Sequence, residues 1–164
     1  MKILLFVNSS WNVINFRVSL VKALIQQGHN VVVMAPRDKY TPLIFNINCQ
    51  YVELNFSSSS FNPFSELLLF CRVIIKIREI GPDALISFTL KPNIYGAIAA
   101  QILGKANFPN IAGLGISHSN FLLRGIVRLL CKVALSRSEI CFFQNIDNQE
   151  YFLTNGIVPK HAAR

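Results

Sequence analysis

The feature that most constrains the fold is an alternation of short apolar runs with longer segments of helical periodicity. Residues 3–7 and 31–34 are continuous apolar runs, typical of strands buried on both faces, and a further strand is predicted at 84–88, which is apolar except for Ser87. Weaker strands are predicted at 51–54, 108–112 and 139–143, and helices at 16–27, 62–80, 92–103, 121–135 and 146–154. This order predicts an α/β fold, a Rossmann-like, doubly wound and mostly parallel six-stranded sheet with helices on both faces.

Composition sets the size and class of the domain. The chain has 164 residues, of which 52% are apolar and 15% charged, and this excludes disorder. Such a length predicts one self-sufficient core and excludes two full-sized domains. The formal net charge of +8 favours a partner that is anionic or lipidic.

Neither a targeting segment nor a metal site is predicted. Residues 106–123 lack acidic and basic side chains, but Pro109 and several small polar residues interrupt them, so no membrane span is expected. The first apolar run is too short for a signal sequence, and we expect a cytoplasmic protein. The four cysteines are far apart without a C-x-x-C motif, which favours small buried hydrophobes. No metal and no cofactor is expected.

Polar residues are concentrated after the predicted strands. Ligands of open α/β sheets bind outside the carboxyl ends of the strands. Many of the small polar residues, and the only tryptophan, fall in segments expected to be loops there, namely 8–15, 89–93, 113–120 and 144–145. The pattern predicts a binding cleft, with ordinary loop polarity as the alternative.

Several enzyme classes are excluded by missing motifs. No G-x-G-x-x-G follows the first strand, and neither a Walker A lysine nor a G-x-S-x-G elbow is present. Asn8 and Ser9 are neutral where a phosphoacceptor domain would need acids. No pair of carboxylates is placed for glycoside hydrolysis.

Three candidate groups could bind an anion or move a proton. Lys91 precedes a helix predicted from Pro92, and an ammonium at a helix N-terminus makes an anion site. Gly113 and Gly115 would let the backbone approach a phosphate, and they equally suit a tight turn. His118 could act as a base or a phosphate ligand near neutral pH. For Lys91 and His118 the alternative is an ordinary solvated side chain.

The helix predicted at 121–135 carries a basic stripe. Arg124, Arg128 and Lys132 are spaced i, i+4, i+8, which makes a stripe about 12 Å long with no acid in it. Such helices are typical of anionic membrane surfaces, and the alternative is a solvated face over a packed helix. Arg72 and Lys76 repeat the spacing in an earlier helix. No nucleic-acid partner is predicted, because the basic residues are sparse and not interleaved with aromatics.

Eight short segments follow one another in a characteristic order and spacing. They are Asn15-Phe16-Arg17, Gly28-His29-x-Val31, Pro36-x-Asp38-x-Tyr40-Thr41, Ser58-Ser59-x-x-Asn62-Pro63-Phe64, Pro82-Asp83, Lys91-Pro92-Asn93, Gly113-Leu114-Gly115 and Phe143-x-Asn145-x-Asp147. Together they resemble the N-terminal half of family 4 glycosyltransferases of the GT-B fold. The resemblance covers nearly the whole chain and is greatest to bacterial enzymes that extend undecaprenyl-diphosphate-linked saccharides, such as N-acetylgalactosaminyltransferases and capsule or O-antigen enzymes.

The resemblance implies two Rossmann-like domains facing each other across a cleft. The N-terminal domain would hold the acceptor, and the C-terminal domain the nucleotide-sugar, with a glutamate pair at E-x7-E spacing that this sequence lacks. Residues 1–156 are then expected to be the acceptor-binding domain and 157–164 the start of the interdomain linker. With the donor domain absent, negligible transfer is expected from these residues alone.

The resemblance also implies a reaction and a set of site residues. The reaction would be retaining transfer from a nucleotide-sugar, a UDP-sugar, to an undecaprenyl-diphosphate-linked saccharide at the inner face of the plasma membrane. Arg17 and Lys91 would contact the acceptor diphosphate, and His118 would be catalytic. The alternatives are a membrane-recruiting subunit of a split enzyme and a truncated remnant. The acceptor-binding residues that the resemblance implies are Asn8, Ser9, Asn15, Arg17, Lys91, Asn93, Gly113, Gly115 and Asn145.

Overall fold

The sheet has six parallel strands. The computed structural model describes residues 1–57, 62–113 and 121–164. The strand order β3-β2-β1-β4-β5-β6 is that of a Rossmann fold, so the predicted fold class is confirmed. The strands are β1 (Lys2–Phe6), β2 (Asn30–Ala35), β3 (Gln50–Glu53), β4 (Ala84–Phe88), β5 (Ala106–Ile111) and β6 (Phe142–Phe143).

Helices cover both faces of the sheet. One face carries α4, α5 and α6, with α5 packed between the other two, and the opposite face carries α1, α2 and α3. The helices are α1 (Ser10–Phe16), α2 (Val18–Gln26), α3 (Thr41–Ile44), α4 (Pro63–Ile80), α5 (Leu90–Ile102), α6 (Phe121–Leu135) and α7 (Ile146–Thr154), with 3₁₀ turns at Phe45–Ile47 and Lys160–Ala162.

The central strand β1 contributes to a separate core on each side of the sheet. Leu4 and Phe6 pack towards α4 and α5, whereas Ile3 and Leu5 pack towards α1, α2 and α3. Both sets are buried because strand side chains alternate between the two faces. This explains why the first apolar run is continuous rather than alternating.

The segment after β1 differs from its prediction as a loop. Residues 10–16 form α1, because Ser9 caps the helix by accepting a 3.2 Å hydrogen bond from the Asn12 backbone N–H. The predicted helix 16–27 is interrupted at Arg17, which ends α1 as its C-cap and precedes α2 as its N-cap. The short α3 was not predicted. Only Ser10 and Val13 of α1 are buried, so the apolar periodicity was too short to indicate a helix.

The last eight residues pack against the rest of the domain. Their backbone runs beside Cys141, whose N–H donates to the Ala162 carbonyl over 2.7 Å. That these residues also begin an interdomain linker stays a prediction. Four of their side chains are buried in the core formed with α5 and α6: Ile157, Val158, Ala162 and Ala163.

The described helices differ from membrane-spanning helices in their length and apolar character. Within 1–57, 62–113 and 121–164, none combines the length and the apolar character needed to cross a bilayer.

A close approach of α5 to the sheet gives a stability prediction. A Cβ on Gly96 would lie 3.0 Å from Leu85 Cδ2 and 3.2 Å from Phe6 Cδ1. Gly96→Ala is therefore expected to lower the free energy of unfolding by about 1–3 kcal/mol in urea titrations, through overpacking. The matched control is Gly125→Ala in α6, where the added methyl meets open space and helix propensity favours alanine by up to about 1 kcal/mol. A Gly96→Ala midpoint equal to that of Gly125→Ala would contradict the expectation.

Candidate functional site

A cleft of about 440 Å³ opens at the carboxyl edge of the sheet. It lies between α1, which follows β1, and the ends of β4, β5 and β6. The strand order reverses between β1 and β4, and ligands of open α/β sheets bind at such switch points. The lining residues are Asn12, Phe16, Arg17, Phe88, Thr89, Asn110, Ala112 and Gln144.

Arg17 is the cation of this cleft. Its guanidinium carbon lies 4.3 Å from the centroid of the Phe88 ring, a cation–π contact. Its Nη1 donates a long 3.4 Å hydrogen bond to the Phe16 carbonyl. Partial burial lowers the pKa of the Arg17 guanidinium, which nevertheless remains charged at neutral pH. No carboxylate among the described residues forms an ion pair with Arg17, so the cleft holds an uncompensated positive charge.

Buried polar atoms without partners lie at the carboxyl edge of the sheet, and those of Asn12, Arg17 and Thr89 belong to residues that line the cleft. Each such atom costs about 1–3 kcal/mol when nothing replaces its hydrogen bond to water. Their concentration at the ends of β1 and β4 and on the adjoining helices indicates a ligand site. Among the described residues these atoms are Asn8 Oδ1, Asn12 Oδ1, Arg17 Nε, Ser87 Oγ, Thr89 Oγ1 and Asn93 Oδ1.

Thr89 is held in a strained conformation at the wall of the cleft. Its φ of 72° and ψ of 164° fall in a region that is nearly restricted to glycine. Its side chain does not cap α5, although Thr89 occupies the N-cap position. Strain at a non-glycine residue costs about 1–3 kcal/mol and is concentrated at functional sites. The conformation therefore supports the assignment of the cleft as the site.

Lys91 has different partners from those predicted. Its ammonium lies 2.7 Å from Glu66 Oε1 and 2.7 Å from the carbonyl oxygen of Ser57, and its side chain is 5% exposed. The second oxygen of Glu66 accepts a 2.6 Å hydrogen bond from Tyr95 Oη, and burial together with this carboxylate raises the pKa of Tyr95. Lys91 lies inside α5, one residue after its start, rather than before a helix. Lys91 thus links α5 to α4 through its buried ion pair with Glu66.

Two other predicted acceptor residues have an unpartnered buried oxygen at the carboxyl edge of the sheet, although neither lines the cleft. Asn8 follows β1 and supplies one of the unpartnered oxygens. Asn93 Nδ2 donates to the Asn110 carbonyl over 2.9 Å, which leaves its oxygen unpartnered. Of the predicted acceptor residues, Arg17 is the one that lines the cleft.

The remaining predicted residues are placed elsewhere or form caps. Ser9 caps α1, and Asn145 caps α7 by accepting from the Asn148 N–H over 2.9 Å. Asn15 donates to the Trp11 carbonyl on the exposed side of α1. Gly113 has a φ of 149° and lies beside the Asn148 side chain. Gly115 and His118 lie outside the described residues.

Some cleft residues were not among the predicted site residues. Phe88 and Asn110 were assigned to strands, yet they stand near the carboxyl ends of β4 and β5. Their position at that edge was a usable signal. The sequence also did not indicate that Glu66 pairs with Lys91, because an acid in the first turn of a helix is common.

The fold is shared with several proteins of known structure. A glycosyltransferase from Rickettsia africae superposes with a TM-score of 0.71 at 14% identity, over 99% of this chain and 42% of that protein. MurG from Acinetobacter baumannii gives 0.63 at 14% identity, over 90% of this chain and 42% of MurG. The UDP-GlcNAc 2-epimerase from Methanocaldococcus jannaschii gives 0.68 at 13%, over 100% of this chain and 45% of the epimerase. These likenesses define the class as a Rossmann-like domain forming one half of a GT-B fold.

Sequence comparison defines the family. Residues 2–145 match the glycosyl transferase 4-like family model, and the chain belongs to that family. The predicted resemblance is thereby confirmed. A curated relative from Campylobacter jejuni, N,N'-diacetylbacillosaminyl-diphospho-undecaprenol alpha-1,3-N-acetylgalactosaminyltransferase, is 26% identical over 152 residues, which are 89% of this chain and 40% of the relative. The chain spans about two fifths of the length of the curated relative that it matches.

Proposed function

We propose that this domain is the acceptor side of a retaining glycosyltransferase that acts on a lipid-linked, diphosphate-bearing saccharide. The observation that carries the proposal is the group of unpartnered buried polar atoms around Arg17 at the switch point of the sheet. The family membership and the named substrate of the Campylobacter relative support the same assignment. The sugar donor would be a nucleotide-sugar, a UDP-sugar.

The cleft residues suit the two parts of such an acceptor. The uncompensated guanidinium of Arg17 matches a diphosphate, to which arginine donates two parallel hydrogen bonds. Hydroxyls of a saccharide both donate and accept, so they can satisfy the amide oxygen of Asn12 and the hydroxyl of Thr89 once these side chains turn to the ligand. Binding would thereby position the attacking hydroxyl. We retain His118, Gly113 and Gly115 as candidates for the reaction centre on the ground of the family pattern.

The donor side requires groups that these 164 residues lack. Relatives are more than twice as long, and the E-x7-E pair that the family places on the donor domain has no counterpart here. We propose that a second Rossmann-like domain, on the same polypeptide or on a partner, holds the nucleotide-sugar. It would supply most of the stabilisation of the departing diphosphate.

A transfer assay tests whether donor binding requires a second domain. The 164-residue chain, incubated with an undecaprenyl-diphosphate saccharide and UDP-sugars, is expected to yield no elongated product. Product is expected once a donor-binding domain of the family is added. Elongation by the 164 residues alone would overturn the proposal that donor binding lies elsewhere.

An enzyme that acts on a lipid-linked acceptor must also reach the membrane that holds the lipid. The three basic residues Arg124, Arg128 and Lys132 are exposed on α6, where Arg128 also makes a 3.5 Å contact with the Asn155 carbonyl. We propose that they contact anionic headgroups at the inner face of the plasma membrane. Each basic side chain near such a surface is worth about 1 kcal/mol.

A further inference from the structure

Two exposed aromatic side chains lie side by side on α1, next to the cleft. The rings of Trp11 and Phe16 pack edge to face, with their centroids 5.1 Å apart and an interplanar angle of 82°. Trp11 is 42% exposed and Phe16 is 58% exposed. An edge-to-face contact covers at most one face of the two rings, so this aromatic pair can still offer a ring face to a ligand. Exposed aromatic side chains beside a cleft are typical of a binding surface.

Phe16 is the member of the aromatic pair that lines the cleft. It is four residues after Asn12, which puts both side chains on one side of α1, and both line the cleft. The other aromatic lining residue, Phe88, has the Arg17 guanidinium over its ring. Among the described lining residues, Phe16 is therefore the aromatic side chain with an exposed ring and no cation stacked on it.

Hydrogen bonds fix the backbone beneath the aromatic pair. The Trp11 N–H donates to Asp38 Oδ2 over 3.0 Å, and the Trp11 carbonyl accepts from Asn15 Nδ2 over 2.9 Å. Asp38 is itself held in place, because its Oδ1 accepts a 2.8 Å hydrogen bond from the Tyr40 N–H. The aromatic pair thus stands on a fixed turn of α1, and a ligand that binds it has little backbone to order.

The chemistry of the lining selects a saccharide ring as the occupant. The face of an aromatic ring is electronegative and attracts the polarised C–H groups that one face of a pyranose presents. The hydroxyls at the rim of a pyranose can bond the amides of Asn12 and Gln144 and the hydroxyl of Thr89, which also line the cleft. A prenyl chain at this place would leave those polar groups without hydrogen bonds, so the lining disfavours lipid.

The position of Phe16 next to Arg17 indicates which sugar it would meet. Neighbouring Cα atoms are about 3.8 Å apart, and Arg17 Nη1 donates to the Phe16 carbonyl, so the guanidinium stays near Phe16. We propose that Phe16, packed against Trp11, stacks on the pyranose ring that is bonded directly to the diphosphate of the acceptor. The inference rests on the proposed function, because it takes the diphosphate at Arg17 from it.

Calorimetry with two ligands, one with and one without the sugar, tests the proposal. The probes are farnesyl-diphosphate-linked N-acetylglucosamine and farnesyl diphosphate, each titrated into the 164-residue chain. Phe16→Leu is expected to weaken binding of the first about 3- to 10-fold and of the second less than about 2-fold, since only the sugar loses an aromatic partner. Phe16→Tyr keeps the ring and should bind both like the wild type. The matched control is Phe45→Leu, 62% exposed and outside the cleft, which should change neither affinity.

Trp11 supplies a second, optical measurement. It is the only tryptophan of the chain, so intrinsic emission reports on the aromatic pair alone. The sugar-bearing ligand is expected to shift the emission to shorter wavelength by displacing water from the pair, whereas farnesyl diphosphate should leave the emission unchanged. Phe16→Leu is expected to reduce the shift at saturating ligand.

The remaining outcomes contradict the proposal in different ways. Equal losses for the two ligands in Phe16→Leu, or equal emission shifts, would mean that the aromatic pair contacts the prenyl chain rather than the sugar. A shift without ligand that grows with protein concentration would make the aromatic pair an interface between copies. Binding of both ligands that depends on Arg17 and not on Phe16 would reject this inference and leave the acceptor role standing. Failure of both ligands to bind would reject the acceptor role itself, and the inference with it.

Discussion

Lys91→Met is expected to lower the free energy of unfolding by about 3 kcal/mol. The Glu66 side chain is 16% exposed, so the substitution leaves its carboxylate largely buried. Among the described residues, the Tyr95 hydroxyl is then its remaining hydrogen-bond donor. Removing one member of a buried ion pair costs about 3–5 kcal/mol, and the residual exposure of Glu66 favours the lower end. Urea unfolding measures the change.

The exposed ion pair of α4 is the control. Lys76 and Glu79 are 2.8 Å apart with side chains 39% and 57% exposed, and Lys76→Met is expected to change stability by less than about 1 kcal/mol. Adding Glu66→Leu to Lys91→Met should restore part of the loss, since no buried charge then remains unpaired. Equal effects of Lys91→Met and Lys76→Met would show that the buried pair does not join α4 to α5.

Reversing the charge of α6 is expected to weaken binding to anionic vesicles by more than about 100-fold. Arg124, Arg128 and Lys132 contribute about 1 kcal/mol each, and glutamates in their place add repulsion. Co-sedimentation with phosphatidylglycerol vesicles at low salt measures the change. The matched control reverses Lys22, Arg37 and Lys39, which are exposed across the sheet and give the same net charge. Equal losses in the two triple variants would mean that net charge, not α6, governs binding.

Strands β1, β2 and β4 were predictable because each contains a run of three or more consecutive apolar residues. The parallel sheet buries β1, β2 and β4 on both faces, so their sequences stand out from any helical period. The edge strand β6 is only two residues long, and its prediction at 139–143 was too long. Here Cys141 pairs with Ala163 instead, a contact far along the chain that no local pattern could indicate.

The site was predictable in position but not in detail. The carboxyl edge follows from topology alone, and the predicted residue Arg17 lines the cleft at that edge. That Arg17, Asn8 and Asn93 bind an acceptor stays a prediction. The role of Lys91 was not predictable, because it depends on Glu66, 25 residues away and brought near by the packing of α4 on α5.

Equilibrium binding to the cleft tests the central claim most directly. Calorimetry would compare a short-chain prenyl-diphosphate saccharide with a UDP-sugar as ligands of the 164-residue chain. We predict that the diphosphate saccharide binds and the UDP-sugar does not. Arg17→Met is expected to weaken that binding by about 10- to 100-fold, since a hydrogen bond to a charged group is worth about 1.5–3 kcal/mol. Arg37→Met, outside the cleft, should leave it unchanged. Preferential binding of the UDP-sugar, or affinity for the saccharide that does not depend on Arg17, would contradict the assignment of this domain to the acceptor.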